Sequence, residues 1–127
     1  FIRRFCEATE QSLPNVTCWG SGKPRREFLH VDDLADAVVF SLESWEKDVH
    51  APSFLNVGTG VDLTIKELAN EVASAAGYNG QIFWDSSMPD GTPRKLLDIS
   101  RIRSLGWNSK ISLQNGIQTT LDKWRHS

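Results

Sequence analysis

Between Trp19 and Asp33 the chain reads Trp19-Gly20-Ser21-Gly22-Lys23-Pro24-Arg25-Arg26-Glu27-Phe28-Leu29-His30-Val31-Asp32-Asp33. An aromatic residue, a glycine turn and three cations lead directly into an apolar run and an acidic helix start, which joins a polar recognition surface to a core element. The run Phe28-Leu29-His30-Val31 predicts a short buried strand. Asp32-Asp33 predicts a helix N-terminus with a capping side chain and negative charge beside the free amides. Lys23, Arg25 and Arg26 are therefore expected on a turn held between two fixed elements.

The remaining elements follow from spacing and punctuation. Ile2, Phe5 and Cys6 lie at helical spacing, Pro14-Asn15 breaks that helix, and Val16-Thr17-Cys18-Trp19 has strand composition. Leu34, Ala37, Val38, Ser41, Leu42 and Trp45 form the stripe of a helix over about 33–45, followed by a polar loop over 47–53. Phe54-Leu55-Asn56-Val57 reads as a buried strand ending in the Gly58-Thr59-Gly60 turn. Thr64-Ile65-Lys66-Glu67 is a capping box that opens a helix closed by Gly77. Gln81 to Trp84 is a short strand, and 85–95 is a loop of turn formers ending in Arg94-Lys95. A short helix capped by Asp98 and a second helix capped by Ser112, carrying Leu113, Ile117, Leu121 and Trp124, complete the chain. Helices alternating with short strands predict an α/β fold, or an α+β arrangement for an isolated piece of an α/β protein.

The length of 127 residues suits one core and one domain. The chain opens at Phe1 inside an apparent helix and its one methionine is Met88, so it is expected to be a piece of something larger. A formal net charge of −2 disfavours nucleic-acid and anionic-membrane binding through general attraction, leaving local clusters to hold any anion. Cys6 and Cys18 lack a metal spacing and fit packing residues of a reduced, cytoplasmic protein. No apolar run approaches the roughly 20 residues of a membrane span.

Six cations stand out: Arg4, Lys23, Arg25, Arg26, Arg94 and Lys95, with Trp19 and Trp84 near them in sequence. Arginine forks match phosphate oxygens in pairs, lysine adds a point charge, and an aromatic face can stack on a base or sugar. The pattern predicts a diphosphate held between the Lys23 to Arg26 turn and the loop ending at Lys95, against the alternative of solvated surface cations. Asp90, before Gly91, is a turn residue that could accept from a sugar hydroxyl. Gly58-Thr59-Gly60 follows a predicted strand as a dinucleotide fingerprint does, but the third glycine position is Leu63, so a tight turn is the better account. His30 reads as a packed core residue rather than a base, and no two histidines share a metal spacing. With Ile82 four residues after the single tyrosine, Tyr78, no tyrosine and lysine pair one turn apart. The chain is expected to carry no catalytic residues, cofactor-binding residues or metal ligands of its own.

Arg25-Arg26-Glu27-Phe28-Leu29-His30-Val31-Asp32-Asp33 resembles the extended short-chain dehydrogenase/reductase family, whose nucleotide-sugar enzymes carry a similar pattern. Asn56-Val57-Gly58-Thr59-Gly60 adds to that. Pro89-Asp90-Gly91-Thr92-Pro93-Arg94-Lys95-Leu96-Leu97-Asp98, the Trp19-Gly20-x-Gly22 turn and Leu105-Gly106-Trp107 narrow it to the branch acting on GDP-sugars. The resemblance covers nearly the whole chain and corresponds to the C-terminal, substrate-binding portion of a Rossmann-type parent. It implies an oxidoreductase that epimerises C3 and C5 of GDP-4-keto-6-deoxy-D-mannose and reduces the keto group with NADPH. It further implies a homodimeric full-length enzyme, with NADPH bound mainly upstream of Phe1. Carried over residue by residue, it places substrate binding on Arg4, Trp19, Arg26 and Lys95, with Asp90 the weaker candidate. Cys6 and Cys18 do not match the family's catalytic cysteine. Residues 1–127 would be one substrate-binding segment, of which about 33–60 pack on the cofactor domain. The alternatives are another nucleotide-sugar epimerase/dehydratase of the family and a non-catalytic binding module.

Overall fold

A computed structural model describes residues 1–44 and 54–126. Its elements, in order, are α1 (Ile2–Glu10), β1 (Asn15–Trp19), β2 (Arg25–Glu27), α2 (Val31–Ser44), β3 (Asp62–Thr64), α3 (Ile65–Ala76), β4 (Gln81–Asp85), β5 (Arg94–Lys95), α4 (Ser100–Ser104) and α5 (Leu113–Arg125). Two small sheets carry the strands. β1 pairs in parallel with β4, while β2 is the centre of a three-stranded sheet, antiparallel to β3 and parallel to β5.

The main core lies between β1 and the helices α1, α3 and α5. Alternation along β1 turns Val16 and Cys18 inward, where they meet Phe5, Cys6 and Ala8 of α1, Ala69, Val72, Ala73 and Ala76 of α3, and Ile117 and Leu121 of α5. The ends of α3 are built as the local chemistry dictates. Thr64 Oγ1 accepts from the Glu67 amide at 3.0 Å, the Glu67 carboxylate accepts from the Thr64 amide at 2.7 Å, and Gly77 closes the helix in the left-handed conformation. Ser112 caps α5 through Asn115. A second core joins Ala37 of α2 to Ile99, Ile102 and Trp107.

Four sequence expectations need correction. The apolar run Phe28 to His30 is not a strand, because Arg25–Glu27 pairs on both sides instead and Val31 already belongs to α2. Phe54 to Val57 is likewise outside any strand; Leu55 and Val57 pack irregularly against the second core. Asp32-Asp33 does not cap α2. The His30 imidazole does so, with Nδ1 accepting from the Asp32 amide at 3.2 Å, while the buried Asp33 carboxylate accepts from the amides of Lys110 and Ile111. The short helix after Asp98 starts at Ser100, whose amide donates to the Asp98 carboxylate at 2.9 Å. Trp45, the 47–53 loop and His50 lie outside the described residues. Among the described residues no helix is long and apolar enough to cross a membrane.

The predicted stripe on α2 is largely uncovered. Ala37 is buried, but Leu34, Val38 and Leu42 are exposed, Leu42 at 82%, as is Val31 at the start of the helix.

Short polar contacts fix many of the loops, and they set an acid limit. Asp36 is held below its ordinary value of 3.8 first by the Trp107 indole, Asp62 by Arg94, Asp85 by the Ser87 hydroxyl, Asp90 by the Ser21 hydroxyl and Asp98 by the Ser100 amide; the Thr64 amide holds Glu67 below 4.5. Each carboxylate binds protons more readily in the unfolded chain, so its contribution is complete above those ordinary values and is lost as the pH falls through the lowered ones. Denaturant midpoints should therefore hold steady at neutral pH and fall steadily below about pH 4. A midpoint unchanged on acidification would contradict these contacts.

Candidate functional site

The six cations divide into structural and available groups. Arg25 and Arg94 face each other across the β2–β5 pair, and both engage the Asp62 carboxylate, Arg25 Nε at 3.0 Å. Side chains alternate along a strand, so the neighbouring register pair, Arg26 and Lys95, projects from the opposite face of the same sheet. These are the two cations expected to converge. They are direct neighbours on adjacent strands, on β2 and β5 rather than on turns.

Arg26 is already ordered. Its Nη1 donates to the Arg25 carbonyl at 2.6 Å, and its Nη2 lies 3.3 Å from where a Cβ on Gly91 would stand. The Asp90-Gly91 segment, expected as a turn but irregular and outside the turn at 86–87, thus packs over the guanidinium. Asp90 in turn binds the first loop: the Ser21 amide donates to its Oδ1 at 2.8 Å and the Ser21 hydroxyl to its Oδ2 at 2.6 Å. Gly20 sits beneath it with φ +82°, and a Cβ there would approach Asp90 Oδ1 to 2.5 Å, so glycine is required by both conformation and space. Asp90 therefore ties the two loops together, and Lys23 adds a weaker charge beside it.

Trp19 ends β1 immediately before this junction and is 68% exposed. With Phe1, Arg3 and Arg4 it lines an open cavity of about 370 Å³. Arg4 is steadied there by donating from Nη1 to the Thr17 carbonyl at 2.9 Å. The same guanidinium lies against Cys18, but burial prevails and pushes that thiol up. Arg4 and Trp19 thus form one pair and Arg26 and Lys95 another, with the Gly20-Ser21 to Asp90-Gly91 junction between them. Trp84 is different: its ring packs against the main core and under Gly22, so it offers no face comparable with Trp19.

The Gly58-Thr59-Gly60 turn already holds an anion, one supplied by the chain. Glu27 Oε1 accepts from the Gly60 amide at 2.5 Å and from the Thr59 hydroxyl at 3.3 Å, and its Oε2 accepts from the Leu97 amide at 3.2 Å. A Cβ at Gly58 would come within 2.5 Å of that carboxylate. The turn is filled, and a cofactor pyrophosphate does not fit it. Ser21, Glu27 and Asp62 were not singled out from the sequence, because each acts on residues more than thirty positions away. His30 packs with its ring 3.1 Å from the position of a Cβ on Gly116. Among the described residues no group of three or more His, Cys, Asp or Glu could hold a metal ion.

Residues 1–58 match the NAD dependent epimerase/dehydratase family. The chain is 52% identical over 124 residues to a GDP-L-fucose synthase of Escherichia coli K12, covering 94% of this chain and 39% of that protein. It is 51% identical over 121 residues to a putative GDP-L-fucose synthase 2 of Arabidopsis thaliana, covering 95% of this chain and 36% of that protein. Among solved structures it superposes on a GDP-mannoheptose C4 reductase from Campylobacter jejuni with NADP bound, with TM-score 0.84 and 34% identity, over 99% of this chain and 43% of the other. The chain therefore spans well under half the length of these relatives.

Proposed function

From a chain that belongs to the NAD dependent epimerase/dehydratase family, we propose a C-terminal, substrate-holding portion of an NADPH-dependent GDP-L-fucose synthase. The full protein would epimerise C3 and C5 of GDP-4-keto-6-deoxy-D-mannose and reduce its keto group. The observation that carries the reading is the pairing of Arg26 and Lys95 as neighbouring positions on one sheet face, with the Asp90-Gly91 segment against the Arg26 guanidinium. A diphosphate there receives the arginine fork and the lysine point charge together, without either side chain having to be drawn across the molecule. Trp19 offers an exposed aromatic face to the nucleotide or sugar, and Arg4 adds a cation in the same cavity. Asp90 contributes by holding the two loops in register, since both its oxygens already accept from Ser21.

NADPH would supply the hydride, held by the rest of the polypeptide rather than by these residues. The uncovered side chains of α2 within it, Leu34, Val38 and Leu42, support a seat for that cofactor-binding portion on about 33–60. The chain alone is then expected to associate, because fully burying an exposed Val or Leu gains about 1.5 to 3 kcal/mol and each of these side chains has roughly half or more of that area still to bury. Sizing at several concentrations checks this, and a concentration-independent monomer with a sharp, high melting transition would contradict it.

Competition in the full-length protein among GDP-, UDP- and dTDP-sugars tests the substrate reading. GDP-sugars should bind most tightly, and guanosine without its diphosphate should bind far more weakly than GDP. Preference for UDP- or dTDP-sugars would move the chain to another nucleotide-sugar branch.

A further inference from the structure

We infer that Asp62 is a positioning residue that sets the separation of Arg26 and Lys95 by gripping the arginine beside each of them. The inference rests on the reading of Arg26 and Lys95 as a diphosphate clamp. β2 and β5 pair over two residues only, and both β5 residues are exposed. So short a parallel ladder does little to fix its own register, and a slip of one residue turns every side chain to the other face. In that event Lys95 would leave the side occupied by Arg26.

Asp62 supplies the missing constraint from β3, the strand on the far side of β2. Its Oδ1 accepts from Arg25 Nε at 3.0 Å, its Oδ2 accepts from Arg94 Nε, and its carbonyl accepts from Arg25 Nη2 at 2.9 Å. One carboxylate on β3 therefore links all three strands, because the arginines of β2 and β5 both donate to it. The Asp62 side chain is 6% exposed beneath the two arginines, which themselves keep 41% and 61% of their side-chain surface in solvent, so its hold on them comes from one carboxylate sharing both hydrogen bonds rather than from burial of the charges. Without the shared anion, Arg25 and Arg94 would be like charges directly opposite one another, which drives neighbouring strands apart. Glu67 also faces Arg25, at 4.0 Å from Nη1, but it is committed to the Thr64 capping box. Holding Arg25 and Arg94 on one face holds Arg26 and Lys95 on the other.

The test compares Asp62→Asn, Lys95→Ala and the double variant in the full-length protein, reading GDP affinity by titration together with KM and kcat for the keto-sugar nucleotide. Asp62→Asn should raise KM and weaken GDP by about tenfold or more while kcat changes by less than about threefold. Lys95→Ala should weaken GDP strongly in the wild-type background and add much less once Asp62 is asparagine, since the clamp is already displaced. Arg94→Gln removes only the arm to β5, from a mostly exposed side chain, and leaves the Arg25 contact in place; it should reproduce the KM effect and decides the matter should Asp62→Asn not fold. Unchanged KM and GDP affinity in Asp62→Asn or Arg94→Gln, beside a clear Lys95→Ala effect, overturns the inference and leaves the clamp standing. Full additivity of Asp62→Asn with Lys95→Ala also overturns it. No effect of Lys95→Ala in the wild-type background removes the clamp itself, and this inference with it.

Discussion

Replacing Arg26 with alanine in the full-length protein is expected to raise KM for the GDP-sugar, and the GDP dissociation constant, by roughly tenfold to a hundredfold. A hydrogen bond to a charged group is worth about 1.5 to 3 kcal/mol, and each 1.4 kcal/mol is about a factor of ten. Arg26 should reach the upper part of that range. Its guanidinium is already tethered to the Arg25 carbonyl and covered by Gly91, so little rotamer freedom remains to be lost on binding. The diphosphate lies away from the reacting carbons of the sugar, so the loss is of uniform binding and kcat should change much less than KM. Arg26→Lys should fall between, because it keeps the charge and gives up the fork. Steady-state kinetics and a GDP titration check both variants, and an unchanged KM would remove Arg26 from the site.

The largest effect on stability is expected at Phe5. It is fully buried, its ring lies 5.5 Å from that of Tyr78 and 6.0 Å from that of Phe1, and it joins α1 to the core shared with α3 and α5. Phe5→Ala should cost about 3 to 5 kcal/mol, through lost transfer energy and the cavity left behind. That is a large share of the roughly 5 to 15 kcal/mol that holds a domain together. The change also reaches the site. Arg4 precedes Phe5, and its contact with the Thr17 carbonyl depends on α1 staying docked against β1. Urea unfolding measures the loss. Asn70→Ala on α3 is the control, since that side chain is exposed and lies off the uncovered α2 face, so its truncation should stay within about 0.5 kcal/mol.

Local chemistry was readable in advance. The Thr64 and Glu67 capping box, the Gly77 stop, and the strands at Val16 and Ile82 follow from side chains that act within a few residues of themselves. Arg26 and Lys95 stand out in the sequence as members of cation pairs beside turn formers, but their pairing as neighbours on β2 and β5, rather than on two turns, is set by the sheet register. What escaped were the long-range pairings. Phe28 to His30 has strand composition, yet the hydrogen-bonding partners on β3 and β5 select Arg25–Glu27 and leave the apolar run as a connector. Asp33 looks like a cap until Lys110 and Ile111, more than seventy residues later, bring their amides to it. Likewise nothing near Asp62 in sequence announces Arg25 or Arg94, and nothing near Glu27 announces that it will fill the Gly58 to Gly60 turn.

Whether the β2–β5 face and the Asp90-Gly91 segment hold the diphosphate of a GDP-sugar, as proposed, is decided by a crystal structure of the full-length protein with GDP bound. Phosphate oxygens are expected within hydrogen-bond reach of both Arg26 and Lys95, next to Asp90-Gly91, with Trp19 beside the nucleotide or the sugar end. Phosphates bound elsewhere, with Arg26 and Lys95 both facing solvent, would contradict it.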